Sequence, residues 1–188
     1  MDWEFDILYA LQSMHNPILD SVMITFTRLG DAGVLWIAIA VGLLFTKKYR
    51  KCGVAMALSL LVSLITCNFV LKNLVMRDRP CWIDNTILLL IDNPSDYSFP
   101  SGHTYASVVS AYTMYLYHKN AGRVALGVAS IIALSRLYLF VHFPTDVIAS
   151  VILSIITATV VVVMVNKYYD FVIESIKELR APACKRTK

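Results

Sequence analysis

Charged residues are scarce in this sequence. They account for 16% of its 188 residues, whereas an average soluble domain contains about 25%. Hydrophobic residues account for 57% and the mean hydropathy is +0.63, which is more apolar surface than the core of one small domain can bury. The composition excludes disordered, collagen-like and disulfide-rich chains, and it predicts a single all-α integral membrane domain over residues 1–188.

Motifs for metal binding and for disulfide pairing are also missing. The four cysteines are widely separated and lack CxxC spacing: Cys52, Cys67, Cys81 and Cys184. The four histidines show no HExxH spacing, and no Asp/Glu cluster suitable for magnesium accompanies them. We therefore expect neither a metal ion nor another cofactor. The acidic start of the chain also argues against a cleaved signal peptide.

Six hydrophobic stretches predict a bundle of six transmembrane helices. Residues 52–71 and 147–165 contain no charge and approach the roughly 20 residues that cross hydrocarbon unaided. The other four stretches are shorter or are interrupted by charge: 18–29, 32–46, 104–117 and 124–141. Before the bundle, residues 3–14 predict an interfacial helix with Trp3, Phe5, Leu8 and Tyr9 among the lipid headgroups.

The distribution of lysine and arginine predicts how the bundle is oriented. Six crossings place both termini on one face, and most of the basic residues lie on that face, including a basic tail at about 167–188 that is frayed over 181–188. The positive-inside rule predicts that this face is cytoplasmic. The remaining basic residues lie toward the extracytoplasmic face: Arg28, Lys72, Arg77, Arg79 and Arg136. Because the basic residues are distributed according to membrane topology and do not form an aromatic-interleaved patch, we do not expect nucleic-acid binding.

Three short clusters lie at predicted helix ends on that outer face, between residues 72 and 146. They are Lys72 with Arg79-Pro80, then Pro100-Ser101-Gly102-His103, then Ser135-Arg136 with His142 and Asp146. Each has a structural explanation when taken alone: Lys72 can snorkel to the interface, and His142 can interact favourably with a helix C-terminus. Arg136 is harder to explain, because a charge inside a span is costly. Together the clusters predict one site.

The chemistry of these clusters is typical of a phosphate site. Lys72, Arg79 and Arg136 supply positive charge, and arginine forks match phosphate oxygens. Ser101 and the backbone N–H of Gly102 add donors at a helix N-terminus. Because three cations neutralise the transferring group, no metal is required.

The two histidines predict a division of labour at that phosphate. His142 can attack phosphorus through a neutral ring nitrogen, with Asp146 accepting a hydrogen bond from the other nitrogen. His103 is then placed to protonate the departing oxygen and later to accept a proton from water. This pattern predicts a covalent phosphohistidine intermediate.

The three clusters resemble the tripartite signature of the type 2 phosphatidic acid phosphatase family, lipid phosphatases that share a site with vanadium haloperoxidases. The resemblance implies a helical membrane bundle with His142 as nucleophile, Asp146 as its partner and His103 as acid. It implies phosphate ligands at Lys72, Arg79, Ser101, Gly102 and Arg136. It also implies a lipid phosphate substrate, as in bacterial members acting on undecaprenyl pyrophosphate, phosphatidylglycerophosphate or phosphatidate.

The small size and minimal loops resemble those of bacterial undecaprenyl-pyrophosphate phosphatases of the plasma membrane. This resemblance implies that undecaprenyl pyrophosphate is hydrolysed to undecaprenyl phosphate for cell-wall synthesis. A phosphatidylglycerophosphate or phosphatidate phosphatase is the alternative, since residues 81–99 do not discriminate between these substrates. A transporter or channel would belong to a different class and usually shows inverted repeats, which this sequence lacks. The expected partners are the lipid phosphate and membrane lipids, with no obligate protein partner.

Overall fold

In a computed structural model, the structure describes residues 2–180, and all regular elements within that range are helical. The predicted frayed tail at 181–188 lies outside the described residues. The helices are α1 (Asp2–Gln12), α2 (Pro17–Leu29), α3 (Val34–Phe45), α4 (Arg50–Leu64), α5 (Lys72–Val75), α6 (Pro80–Ile83), α7 (Gly102–Tyr117), α8 (Lys119–Tyr138) and α9 (Pro144–Arg180). A 3₁₀ turn (Asp31–Gly33) joins α2 to α3, and a π-helical turn (Ile65–Leu71) joins α4 to α5.

Three helical segments are long and apolar enough to cross a membrane: Arg50–Ile83, Lys119–Tyr138 and Pro144–Ser175. The pair α2 and α3 meets the same test together, but it is bent by 45° at the 3₁₀ turn. The predicted integral membrane character is therefore confirmed. The predicted segments 32–46 and 104–117 form helices of 12 and 16 residues, short of the roughly 20 needed for a straight crossing. The six-span count stays a prediction.

The N-terminal helix α1 packs against the connection between α8 and α9. Leu8 is fully buried, and the ring of Phe5 makes an edge-to-face contact with that of Phe143 at 5.3 Å. Gln12 donates a hydrogen bond of 2.8 Å to the carbonyl of Tyr138. Leu8 is therefore enclosed by protein and does not reach the headgroups, whereas Phe5 is partly buried and Trp3 stays 52% exposed. The interfacial position of α1 is still a prediction.

Helix α7 runs through the centre of the bundle and packs on α4, α8 and α9. Several of its buried positions are small or hydroxyl-bearing, among them Ser107, Ser110 and Ala111, which lets the helices approach closely. Near the end of α7, a Cβ on Gly122 of α8 would lie 2.1 Å from the Cα of Tyr115, so a larger residue would force the two helices apart. At the start of α7, the hydroxyl of Ser150 in α9 donates to the carbonyl of Ser101 at 3.1 Å, which holds the start of α7 beside the start of α9.

Candidate active site

The structure brings all eight predicted site residues to one end of the bundle. Lys72 follows the π-helical turn and Arg79 precedes α6, while Ser101, Gly102 and His103 form the start of α7. Arg136 lies in the last turn of α8, His142 in the connection that follows, and Asp146 in the first turn of α9. A cavity of about 660 Å³ is lined by six of them: Lys72, Arg79, Gly102, His103, Arg136 and His142.

The three predicted phosphate-binding cations are buried. Lys72 is 6% exposed, Arg79 2% and Arg136 4%. Arg136 donates one hydrogen bond from Nη1 to the hydroxyl of Thr27, but its Nε has no hydrogen-bond partner among the described residues. Arg136 also lines the cavity, so its guanidinium can add positive charge there for an anion.

A carboxylate lies among these cations. Asp96 Oδ1 is 2.7 Å from Arg79 Nη2, and Oδ2 contacts the Lys72 ammonium. Partial burial works to raise the pKa of Asp96, but the hydrogen bond and charge of Lys72, with the charge of Arg79, outweigh it and lower the pKa to about 2. Sequence reasoning missed Asp96, because it lies in an irregular segment with no motif around it.

The helix α7 begins at Ser101, one of the predicted phosphate ligands. Ser101 is its N-cap, and the Oγ accepts hydrogen bonds from the backbone N–H and the hydroxyl of Thr104. Because Ser101 is fully buried beneath the cavity lining, its contact with a phosphate stays a prediction. A Cβ on Gly102 would lie 3.8 Å from Lys72 Nζ, so the glycine faces the lysine within the cluster.

His142 is buried, and one ring nitrogen faces the cations. Its Nε2 lies 3.1 Å from Arg79 Nη1. Because arginine can only donate, Nε2 is the acceptor and the ring hydrogen is on Nδ1. Burial lowers the pKa of His142 and, with the charges of Arg79 and Arg136, outweighs the favourable interaction with the nearby Asp146 carboxylate, giving a pKa of about 3. The ring is therefore neutral at neutral pH.

The predicted contact between His142 and Asp146 is longer than a direct hydrogen bond. Nδ1 lies 3.7 Å from Asp146 Oδ2 and 3.4 Å from the hydroxyl of Ser98. That hydroxyl is itself 2.5 Å from Asp146 Oδ2. Ser98 therefore lies beside both groups and connects them, a role that its loop position did not indicate in the sequence.

Asp146 is held from several directions. The backbone N–H of Phe143 donates to Oδ2 at 2.8 Å, and Arg77 Nη1 donates to Oδ1 at 2.6 Å. Arg77 Nη2 donates to the Glu4 carboxylate in α1 at 2.7 Å. Sequence reasoning noted Arg77 as one more basic residue on the outer face and missed this link, since a contact across 73 residues leaves no local pattern.

His103 has a carboxylate partner that the sequence did not indicate. Its Nε2 lies 2.9 Å from Asp31 Oδ1, in the turn between α2 and α3. Among residues 2–180, no group of three or more His, Cys, Asp or Glu side chains is arranged to hold a metal ion. The described cluster can thus bind an oxyanion through cations and helix-end donors, and can present a neutral imidazole to it.

Comparisons with known proteins identify the family. The sequence model of the PAP2 superfamily matches residues 49–170. An undecaprenyl-diphosphatase of Sulfolobus acidocaldarius is 33% identical over a match that covers 72% of this chain and 66% of that protein. An undecaprenyl-diphosphatase of Bacillus subtilis is 27% identical over 83% of this chain and 80% of that protein.

A solved structure gives the same result. The crystal structure of a transmembrane PAP2 type phosphatidylglycerolphosphate phosphatase from Bacillus subtilis superposes with a TM-score of 0.73 at 28% sequence identity. The superposition covers 88% of this chain and 86% of that one. The resemblance indicated by the three sequence clusters is thus confirmed: this chain belongs to the PAP2 superfamily and is a membrane phosphatase of that family.

Proposed function

We propose that this protein removes the terminal phosphate of a membrane lipid phosphate through a phosphohistidine on His142, without a metal ion. One observation carries the proposal most strongly. A neutral imidazole, with Nε2 3.1 Å from Arg79, borders a cavity that three buried cations also line. The cations support an anion in that cavity, because Lys72, Arg79 and Arg136 all line it and no metal-type cluster of His, Cys, Asp or Glu is found among residues 2–180.

The first half-reaction transfers the phosphoryl group to the protein. His142 Nε2 attacks phosphorus, the bond from phosphorus to the leaving oxygen breaks, and His103 gives that oxygen a proton. Lys72, Arg79 and Arg136 stabilise the charge on the transferring group. The Nδ1 hydrogen of His142 stays on the ring, held toward Ser98 and Asp146, so the attacking nitrogen is always Nε2.

The second half-reaction releases inorganic phosphate. Water attacks phosphorus and gives its proton to His103, and the bond between phosphorus and His142 breaks. Both histidines return to their starting protonation states. The same cations stabilise this step, so the cycle closes without a metal ion or another cofactor.

A lipid substrate is supported by a second cavity of about 600 Å³ that continues from the first. It shares Lys72, Gly102 and His103 with the phosphate site and runs between α3 and α4. Its wall there is apolar: Ile37, Val41, Leu44, Leu60, Leu61 and Leu64. A phosphate among the cations with a hydrocarbon chain along this wall is the arrangement that an amphiphile requires.

We infer that undecaprenyl pyrophosphate, hydrolysed to undecaprenyl phosphate, is the substrate. Two relatives named for this activity support it. Phosphatidylglycerophosphate is the second candidate, since the superposed crystal structure is named for that activity. The test is phosphate release by the purified protein in detergent from undecaprenyl pyrophosphate, phosphatidylglycerophosphate and phosphatidate. If kcat/KM is highest for a glycerophospholipid, undecaprenyl pyrophosphate is not the substrate. If no lipid releases phosphate, the proposed phosphatase function is wrong.

We propose that the chain crosses the plasma membrane six times, with both termini cytoplasmic and the active site outside. Native Cys81 is unsuited to test this, because it is buried. Leu88 is 88% exposed in the outer segment, and Lys48 is exposed in the connection between α3 and α4. In a Cys184→Ser background, an impermeant maleimide on intact cells should label Leu88→Cys but spare Lys48→Cys. The reverse pattern would place the site in the cytoplasm.

A further inference from the structure

His103 forms a pair with Asp31 that the proposed mechanism above does not yet use. The two side chains meet at 2.9 Å between His103 Nε2 and Asp31 Oδ1. His103 is 23% exposed and Asp31 61%. The two residues come from different parts of the chain: His103 opens α7, and Asp31 lies in the turn between α2 and α3.

The turn that carries Asp31 fits closely around the ring. A Cβ on Gly30 would lie 2.9 Å from His103 Cδ2, the ring atom bonded to Nε2, and 2.9 Å from Ile132 Cγ2. No side chain fits at that position. On the other side of Asp31, Ala32 and Gly33 have φ of 49° and 67°. Alanine rarely adopts this left-handed conformation, which persists only where the surrounding structure holds it. Packing and hydrogen bonding therefore fix Asp31 against one edge of the imidazole.

We propose that Asp31 is the positioning residue of the general acid His103. The inference rests on the proposed function, in which His103 protonates the leaving oxygen. Because the Asp31 carboxylate can only accept, the hydrogen on Nε2 stays between the two residues. The exchangeable proton is then on Nδ1, which gives it to the leaving oxygen and takes one back from the attacking water. Nε2–H and Asp31 remain unchanged through the cycle.

The charges around the ring explain why a carboxylate is required there. Lys72, after the π-helical turn, and Arg136, from α8, line the same cavity as His103. Both cations disfavour the protonated imidazole that a general acid needs. Asp31 favours the protonated form, because its own charge is negative. Asp31 thus opposes, at His103, part of the positive potential of the cations and part of the effect of burial.

The test compares two leaving groups with very different needs for an acid. Phosphatidate releases an alkoxide, which requires protonation, whereas 4-nitrophenyl phosphate releases a stable phenolate. Asp31→Asn keeps the size of the side chain but removes its charge, so kcat/KM on phosphatidate, which reports the transfer to His142, should fall about 10-fold or more, within the range of general-acid effects. On 4-nitrophenyl phosphate, kcat/KM should change less than about 2-fold, because its leaving group needs no acid. A purely structural role would lower both rates together.

Two further variants complete the experiment. Asp92 is an exposed carboxylate lining the same cavity, so Asp92→Asn removes an equal charge and should produce no difference between the substrates. Asp31→Asn combined with His103→Ala should be no slower on phosphatidate than His103→Ala alone, because the two residues act as a unit.

The outcomes separate this inference from the function on which it rests. If His103→Ala slows phosphatidate selectively but Asp31→Asn slows both substrates equally or neither, Asp31 does not position the acid and the inference is wrong. If His103→Ala itself shows no selectivity for the leaving group, the acid assignment in the proposed function is wrong. If Asp92→Asn has the same effect as Asp31→Asn, Asp31 contributes only negative charge that any nearby carboxylate supplies, and the inference is wrong.

Discussion

Asp96 lies 2.7 Å from Arg79 and also contacts Lys72, so a carboxylate of the protein itself pairs with two of the three cations in the proposed phosphate site. Its pKa is lowered to about 2, so it stays ionised at every pH at which the protein would be assayed. Protonation therefore cannot release the cations. An arriving phosphate must displace Asp96 to reach them.

This competition predicts the effect of Asp96→Asn. Removing the competing charge should strengthen inhibition by vanadate, which has the shape of phosphorus under attack. Because Asp96 is half exposed, its ion pairs are worth about 1 kcal/mol, which corresponds to about 5-fold in the inhibition constant. Inhibition constants of the wild type, Asp96→Asn and the control Asp92→Asn measure this. Weaker inhibition of Asp96→Asn alone would mean that Asp96 helps to hold the anion.

Because the pKa of His142 is lowered, we expect this nucleophile to stay unprotonated, and therefore active, in mildly acidic solution. A group with a pKa of about 3 stays neutral as the pH falls from about 8 to about 5. In protein labelled with ¹³C-histidine, the His142 resonance, identified by its loss in His142→Ala, should not shift over that range. A midpoint near the usual histidine value of about 6.5 would contradict the buried environment described here.

The link from Glu4 through Arg77 to Asp146 predicts that helix α1 supports catalysis. Glu4 is buried and is 2.7 Å from Arg77. Glu4→Gln removes the charge that Arg77 faces, so the arginine should hold Asp146 less firmly, with a loss of about 2 kcal/mol in unfolding free energy and a lower kcat. Thermal unfolding and kcat in detergent measure both effects. Asp6→Asn, on the exposed side of α1, is the matched control, and equal behaviour of the two variants would reject the link.

Metal removal separates this chemistry from metal-assisted phosphate hydrolysis. A metal-dependent site loses activity when the ion is chelated. Here Lys72, Arg79 and Arg136 supply the positive charge, so phosphate release should be unchanged after incubation with excess EDTA. Loss of activity that added magnesium restores would contradict the proposed mechanism.

Much of the site was predictable because its main residues lie at the ends of hydrophobic spans. Hydropathy indicates approximately where a span ends, and successive spans return the chain to the same face. Lys72, His103 and His142 could therefore be placed together from the sequence alone. The supporting residues lack such a pattern. Asp31, Asp96 and Ser98 belong to turns and irregular segments, and Glu4 reaches the site from a helix outside the predicted bundle.

Helix boundaries were less predictable than helix positions. Helix α9 runs without a break from Pro144 to Arg180, because no glycine or proline follows Pro144 within it. Hydropathy predicts a span at 147–165 and a helix leaving the membrane over 167–180, and the structure joins the two into one helix. Within the predicted span 52–71, the last turn is π-helical, a local change that hydropathy does not register and that sets the angle at which Lys72 enters the site.

The most direct test of the mechanism is to trap the intermediate. The purified protein is mixed with substrate carrying a radiolabelled terminal phosphate, quenched in alkali within one turnover and mapped by mass spectrometry. Our account predicts a phosphate on His142 that is stable to base and labile to acid, and no label in His142→Ala. Label on another residue, or turnover by His142→Ala at the rate of the wild type, would contradict it.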